Sequence, residues 1–366
     1  MSSPERSMVH PYFGMSWRNL RAVVRRYGPV APRHRARLWR VEVSAALRSP
    51  LTAVEARLGT PDERAAVDVE PIFILGHWRS GTTWLYTLLS RSPEFGFVDP
   101  IATGLPHNFR VLGPALRPVF NAALPKHRLI DNVPVRADSP QEDEVGLANL
   151  CPLSHFHWLS FPQTLADALP RMLFFEGADN HDVEAWERSV ARFLGKVSNV
   201  AGGKPILVKN PSHTARLDRL LRIFPRAKVI HLHRHPDEVF RSMRRFYENL
   251  LPALSFQEVP EIDFDGLILD TMEAMNRKFL RESEGLPSSR FVDLSYEELR
   301  QDPLGTLTHL YKKLALGDFS TARPAFEAHL EATVGYKRNP HHLAPEEQAL
   351  VREKVALPFE VWGYER

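Results

Sequence analysis

Short apolar runs ending in a glycine or a basic residue alternate, over much of this chain, with stretches whose apolar positions recur every three or four residues. Pro71-Ile-Phe-Ile-Leu-Gly76 reads as a buried strand, and Trp84, Leu85, Leu88 and Leu89 place a helix over 83–90. The pattern weakens across 100–200, where proline, histidine and aromatic residues predict helices and loops. It resumes with a strand at 204–209 and a helix over 213–224 carrying Leu217, Leu220, Leu221 and Phe224. A strand at 227–233, a helix over 236–247 with Pro236 in its first turn, a strand at 290–294 and a helix over 304–314 follow. Strand–helix alternation of this kind predicts an α/β fold, a parallel sheet with helices on both faces. Ligands of such sheets sit at the carboxyl ends of the strands. Residues 1–65 read as a helical arm and linker, and 66–366 as the α/β domain with a helix- and loop-rich acceptor-binding insertion at about 100–200.

Composition narrows the class. With 366 residues, 43% hydrophobic and 25% charged, the chain is neither disordered nor fibrous. A single cysteine, Cys151, excludes an intramolecular disulfide and suits a reducing compartment, so a cytoplasmic location is expected. Met1-Ser-Ser-Pro-Glu-Arg6 lacks an apolar core and does not read as a signal peptide. Val145 to Ala166 carries no Lys, Arg, Asp or Glu, yet Asn149, Pro152, His155, His157 and Pro162 argue against a bilayer span. Its Phe156, Trp158, Leu159 and Phe161 suit either an apolar acceptor pocket or a plain core segment.

The net charge of +3 hides an asymmetry. Residues 1–57 hold eleven arginines, no lysine and three acids, whereas the remainder has 36 basic against 41 acidic residues. Trp17, Leu20, Val24 and Tyr27 fall at helical spacing among Arg18, Arg21, Arg25 and Arg26. Two placements follow: a helix packed on the main body with its arginines solvated, or peripheral contact with an anionic membrane or acidic partner. No nucleic-acid partner is expected.

The first strand runs into Gly76-His-Trp-Arg-Ser-Gly81-Thr-Thr-Trp84. Two glycines five apart between a strand and a helix let backbone N–H groups converge on an anion at the helix N-terminus. A nucleoside-triphosphate loop would place lysine after the second glycine. Here that residue is Thr82, and the cation is Arg79, inside the loop, where a guanidinium suits bidentate pairing with a phosphate or sulfonate. This weighs against a kinase or ATPase.

Arg79-Ser80-Gly81-Thr82-Thr83-Trp84 resembles the 5′-phosphosulfate-binding loop of sulfotransferases that use 3′-phosphoadenosine 5′-phosphosulfate (PAPS). That family's second signature is a strand ending in arginine with serine eight residues on, as in Val229-Ile-His-Leu-His-Arg234 with Ser242. Ser295-Tyr-Glu-Glu-Leu-Arg-Gln-Asp-Pro303 is also similar to the family, and the likeness covers about 70–315. The resemblance implies a P-loop-type three-layer fold and a PAPS-dependent transfer to a hydroxyl acceptor. It also assigns the 3′-phosphate to Arg234 and Ser242. Independently, Pro236 starting a helix between them would bring guanidinium and hydroxyl to one side of its N-terminus. An acceptor that is lipophilic, an alcohol or phenol, fits the aromatic content.

Sulfuryl transfer needs a base for the acceptor proton and positive charge on the leaving oxygen. In cytosolic relatives a Lys-x-His at a strand end supplies both; here Lys209-Asn-Pro-Ser-His213 has the two residues farther apart, and His213 also suits a helix cap. Other branches of the family use a carboxylate after the first helix, where Asp99 stands before a proline that also suits turn chemistry. Glu144, in Glu142-Asp-Glu144, is a third candidate base, beside a capping box expected from Ser139 and Glu142. Lys337 and Arg338 match a late basic loop that in the family closes the 3′-phosphate site. His231, His233 and His235 alternate on one strand face without clustered cysteine or acid, so no metal is expected. The competing functions are a P-loop small-molecule kinase and a non-catalytic nucleotide-binding or membrane-associated protein.

Overall fold

The computed structural model describes residues 10–57, 69–123, 136–333 and 343–365. Helices α1 (Trp17–Tyr27) and α2 (Arg35–Arg57) precede β1 (Pro71–Leu75), α3 (Thr82–Leu89) and β2 (Gly96–Phe97). The weakly patterned region is helical: α4 (Pro100–Gly104), α5 (Phe109–Ala123), α6 (Asp143–Leu150), α7 (His155–Ser160), α8 (Leu165–Leu173) and α9 (Asn180–Val200). Then come β3 (Ile206–Lys209), α10 (Leu217–Ile223), β4 (Lys228–His233), α11 (Pro236–Leu254), α12 (Phe264–Ser283) and β5 (Phe291–Ser295). The chain finishes with α13 (Tyr296–Gln301), α14 (Pro303–Leu314), α15 (Phe319–Ala332), α16 (Pro345–Lys354) and α17 (Leu357–Trp362).

Two compact units gather these elements. One comprises 1–69, 97–203 and 246–262, the other 70–96, 204–245 and 263–366. The second unit carries the sheet, whose strands lie in the order β2-β3-β1-β4-β5, with β3–β1, β1–β4 and β4–β5 parallel. The apolar run in β1 is explained by its central place: Ile72, Phe73, Ile74 and Leu75 are all buried, as are Ile206–Val208 in β3 and Val229 and Ile230 in β4. Register pairs Ile74 with Lys209 on one side and Leu75 with His231 on the other, so the loop after β1, Lys209 and the turn carrying Arg234 all leave the sheet at its carboxyl end.

Strand positions follow the sequence pattern closely, and three local features differ. The helix expected over 213–224 is split into a 3-10 turn, Pro211–Arg216, and α10, because Asn210 caps the turn by accepting from the Ser212 N–H. Helix α11 runs on to Leu254 past the expected end. The Ser139–Glu142 capping box does not form: Ser139 Oγ accepts from the Arg136 N–H, Gln141 N donates to Val98 O, and Glu142 itself is the N-cap of α6.

In the helical unit, α1 buries Leu20, Val23 and Tyr27, with Trp17 exposed, so its apolar face is turned toward Val23 rather than Val24. Arg26 pairs with Asp182 at 2.5 Å, and Asn19 Nδ2 donates to Asn149 O. Polar groups are satisfied deep inside: the Tyr12 hydroxyl lies 2.6 Å from His157 Nδ1, and Lys196 pairs with Glu55 at 2.6 Å while donating to Pro106 O. Among the described residues no helix is long and apolar enough to cross a membrane.

Candidate active site

The loop after β1 has the backbone an anion cradle needs. Gly76 and Gly81 hold φ of +143° and +99°, and Arg79 sits at +71°, a left-handed conformation that costs a non-glycine residue about 1–3 kcal/mol. A Cβ at Gly76 would strike Leu232 O, and one at Gly81 the Tyr296 ring, so both positions require glycine on two counts. Gly81 is the N-cap of α3, which places the helix N-terminus and its unpaired N–H groups at the end of the loop. Ser80 Oγ and His77 Nε2 are buried there without a protein hydrogen-bond partner. His77 Nδ1 donates to Trp78 O at 2.9 Å, and burial pushes its pKa down to about 4, so this imidazole is neutral with Nε2 as acceptor.

The second anion signature converges on the first. Arg79 Nε donates to Ser242 Oγ at 2.8 Å, and Arg234 Nη1 donates to Arg79 O at 3.1 Å. The Arg234 guanidinium also lies over the Tyr296 ring, 4.7 Å from its centroid, and pairs with Glu238 at 2.7 Å; Glu238 holds Arg241 at 2.8 Å as well. Tyr296 therefore touches both halves, packing on Gly81 and under Arg234, with Trp84 edge-on at 6.0 Å. These residues fit a doubly phosphorylated nucleotide: a backbone cradle that glycine alone leaves open, an orphaned hydroxyl and two guanidiniums.

Lys209 and His213 lie beside the same loop. The residue after His213, Thr214, accepts from the Gly76 N–H at 2.8 Å and donates to Gly76 O at 3.1 Å, pinning the turn Pro211–Arg216 to the loop's first residue. His213 is fully buried, edge-on to Phe73 at 6.0 Å, with Asn210 Nδ2 at 3.5 Å from its ring nitrogens. Lys209, buried, ends β3 two positions from Gly76 in register.

The carboxylate candidates belong to the helical unit and carry structural contacts there. Asp99 is the N-cap of α4, accepting from the Ala102 N–H at 2.7 Å, with Arg117 at 3.9 Å; burial outweighs both and raises its pKa. Glu144 is buried, and its Oε1 accepts from Ser154 Oγ at 2.9 Å and the His155 N–H at 2.8 Å, tying α6 to the start of α7. Lys337 and Arg338 lie outside the described residues.

The three alternating histidines are absorbed by the C-terminal segment. His231 Nδ1 lies 2.8 Å from Asp293 Oδ1, and Trp362 Nε1 donates to Asp293 Oδ2 at 2.8 Å. Burial alone would raise the Asp293 pKa; the His231 hydrogen bond and the neighbouring imidazoles outweigh it and hold the carboxyl low. His233 stacks on Trp362 at 4.5 Å and meets the Tyr364 hydroxyl at 2.7 Å, which donates in turn to Glu297. Among the described residues no group of three or more histidines, cysteines or acids could hold a metal ion. The sequence reading missed Tyr296, Glu238, Thr214 and His77. Glu238 is signalled by its place in the first turn of the helix that Pro236 opens, four residues after Arg234, and Tyr296 by its place in the segment similar to the family's.

Comparison with known proteins agrees with this geometry. A profile described as "Sulfotransferase family" matches residues 71–320. The omega-hydroxy-beta-dihydromenaquinone-9 sulfotransferases Stf3 of Mycobacterium bovis and of Mycobacterium tuberculosis are each 33% identical over 303 residues, covering 81% of this chain and 76% of theirs. Among solved structures, sulfotransferase STF9 of Mycobacterium avium aligns with a TM-score of 0.71 at 17% identity, covering 96% of this chain and 97% of its own. Sulfotransferase STF1 of Mycobacterium tuberculosis H37Rv aligns with a TM-score of 0.66 at 20% identity, covering 94% and 93%. At those identities the structures speak for the fold.

Proposed function

The chain belongs to the sulfotransferase family and is an enzyme transferring a sulfonate group, and from that premise we propose that its donor is PAPS and its acceptor the hydroxyl of a lipophilic small molecule. The phosphoryl-transfer alternative falls with the family assignment. The observation that carries the donor is the pair of hydrogen bonds joining both anion motifs, Arg79 Nε to Ser242 Oγ and Arg234 Nη1 to Arg79 O. A nucleotide phosphorylated at one end only would have no use for the second.

When bound, the donor supplies an activated sulfonate on a phosphate leaving group. The loop Arg79–Trp84 would hold the 5′ side through its N–H groups and the α3 N-terminus, and Arg234 and Ser242 the 3′-phosphate. Arg234 would have to exchange its Glu238 partner, or share it, to meet a phosphate. Lys209 would steady charge on the bridging oxygen and His213 would take the acceptor proton, since the turn that carries His213 is bonded to Gly76. Asp99 and Glu144 stand second as bases because a helix cap and the Ser154–His155 contacts already employ them.

The curated relatives are named for a hydroxylated menaquinone derivative, a lipophilic alcohol. Trp158, Leu159 and Phe161, which suited either an apolar pocket or a plain core segment, are fully buried core, and the basic arm favours an anionic surface where lipophilic acceptors reside. Calorimetry without magnesium comparing 3′,5′-adenosine bisphosphate (PAP), AMP and ATP tests the donor. PAP is expected to bind tightest, and Arg234→Ala to remove most of its advantage over AMP, about 1.5–3 kcal/mol for a charge-assisted contact. An unchanged PAP affinity in that variant would overturn the assignment. Sulfonate transfer from labelled PAPS to long-chain and polyprenoid alcohols, against sugars and peptides, tests the acceptor class.

A further inference from the structure

Helix α2 carries apolar residues on its outside as well as its inside, where Val41 and Ala45 are buried. Its inward side bears polar anchors at spacings of three and four: Arg48 Nη1 donates to Gly14 O and Nη2 to Met15 O, Thr52 Oγ1 donates to Asn108 Oδ1, and Glu55 pairs with buried Lys196. Its outward side is apolar. Trp39 is 63% exposed, Leu47 73% and Val54 46%, and Leu51 and Pro50 are exposed with them on one face. A surface helix normally keeps its outward face polar.

Charge tells what covers this face. Arg35, Arg40 and Arg57 are exposed around it. Of the two acids on the helix, Glu55 is buried on Lys196 and Glu42 is half-buried on the flank. A second copy of the chain laid on the face would set arginine against arginine with no exposed carboxylate on the helix to relieve them. An anionic lipid surface supplies what both features ask for: phosphates for guanidiniums and an apolar boundary for tryptophan and leucine.

We propose that the outward face of α2, from Trp39 to Val54, docks this enzyme on an anionic bilayer, lying in the interface rather than spanning it. The helix α1, whose apolar side is buried in its own unit, adds charge but not insertion. The proposal goes beyond the sulfonate-transfer reading and requires neither nucleotide nor acceptor, so either can fail without the other.

The test is flotation of the full chain with vesicles of phosphatidylcholine alone or mixed with phosphatidylglycerol. The parent is expected to float with the mixed vesicles and not with the neutral ones, and to be released by salt. Combining Trp39→Ser, Leu47→Ser and Val54→Ser should weaken binding by about tenfold or more. Trp17→Ser on α1 should leave it within about threefold. Because the lone cysteine, Cys151, is buried, Leu47→Cys labelled with an environment-sensitive dye reads insertion directly, as a blue shift on the mixed vesicles. Retention of PAP-induced thermal stabilisation checks that each variant folds. A parent that stays unbound, or a triple variant that binds as the parent does, would overturn the proposal. So would a dimer in sedimentation velocity that the triple variant turns into a monomer, which would give the face to a second copy.

Discussion

Two clusters of charge, one in each unit, are arranged in opposite ways, although the sheet unit also pairs Arg244 with Asp265 and Lys278 with Glu282. In the helical unit a charge meets a dedicated partner: Lys196 has Glu55, Arg26 has Asp182, and Glu144 has Ser154 and the His155 N–H. Around the start of α11 in the sheet unit like charges gather: at Glu238 two guanidiniums meet one carboxylate, and Arg79 reaches Ser242. A buried charge deprived of its partner destabilises the fold, whereas convergent cations repel one another until a ligand brings negative charge. Function is therefore to be sought in the second pattern, and the first should respond to mutation through stability.

The sharpest way to break that contrast is at Lys209 and His213. Lys209→Met and His213→Gln should each lower the transfer rate by about 10²–10⁴-fold, the range of a lost acid–base or electrostatic contribution, while PAP affinity changes little. Single-turnover kinetics beside calorimetry separates the two. A loss of PAP binding in step with rate would move these residues into the donor site instead.

Lys196→Ala probes the opposite pattern. Leaving Glu55 buried without its partner should destabilise the helical unit by about 3–5 kcal/mol in chemical denaturation. Replacing both, with Lys196→Met and Glu55→Leu, should restore most of that. PAP binding by the folded double variant should be unaffected.

The same contrast explains what the sequence makes legible. The sheet unit writes itself in local signals: β1 and β4 are apolar runs because both faces of these strands are buried, and Gly76 and Gly81 are fixed by positive φ and by close approach of Leu232 and Tyr296. Arg79, Arg234 and Ser242 stand at strand and helix ends, where topology brings them together. In the helical unit the signals mislead because partners are distant in sequence. Ser139 and Glu142 spell a capping box, but the 136–141 turn binds Val98 instead. Helix α2 has no clear amphipathic pattern, since its polar residues reach Gly14, Asn108 and Lys196 from the inside. Tyr296 was visible as part of a motif, yet its contact with Gly81 and Arg234 needs the fold.

Acidification should weaken both units through histidines whose pKa burial lowers, three in each among the described residues, His329 of the sheet unit included. Burial pushes His10 down to about 3 and His107 and His157 to about 4 in the helical unit, against His77 and His233 at about 4 in the sheet unit. An unfolded imidazole takes its proton near pH 6.5, whereas these folded ones hold off until about 4, and His10 until about 3. The unfolded state then binds protons first, so stability falls as pH drops through that window and levels off below it for these groups. Thermal melts between pH 7 and 4 read the slope, and His157→Gln should flatten it.

Asp99 carries the smallest expected effect and the finest discrimination between the two patterns. Its carboxylate caps α4 through the Ala102 N–H, and burial holds its pKa up, which are also properties a general base would have. Asparagine keeps an acceptor oxygen at the cap and cannot take a proton, so Asp99→Asn separates the roles. As a cap alone, it should shift stability by less than about 1 kcal/mol and leave turnover and its pH profile unchanged. A hundredfold fall in turnover, with melting preserved, would instead make Asp99 the base, return His213 to a structural part, and erase the division of labour between the units.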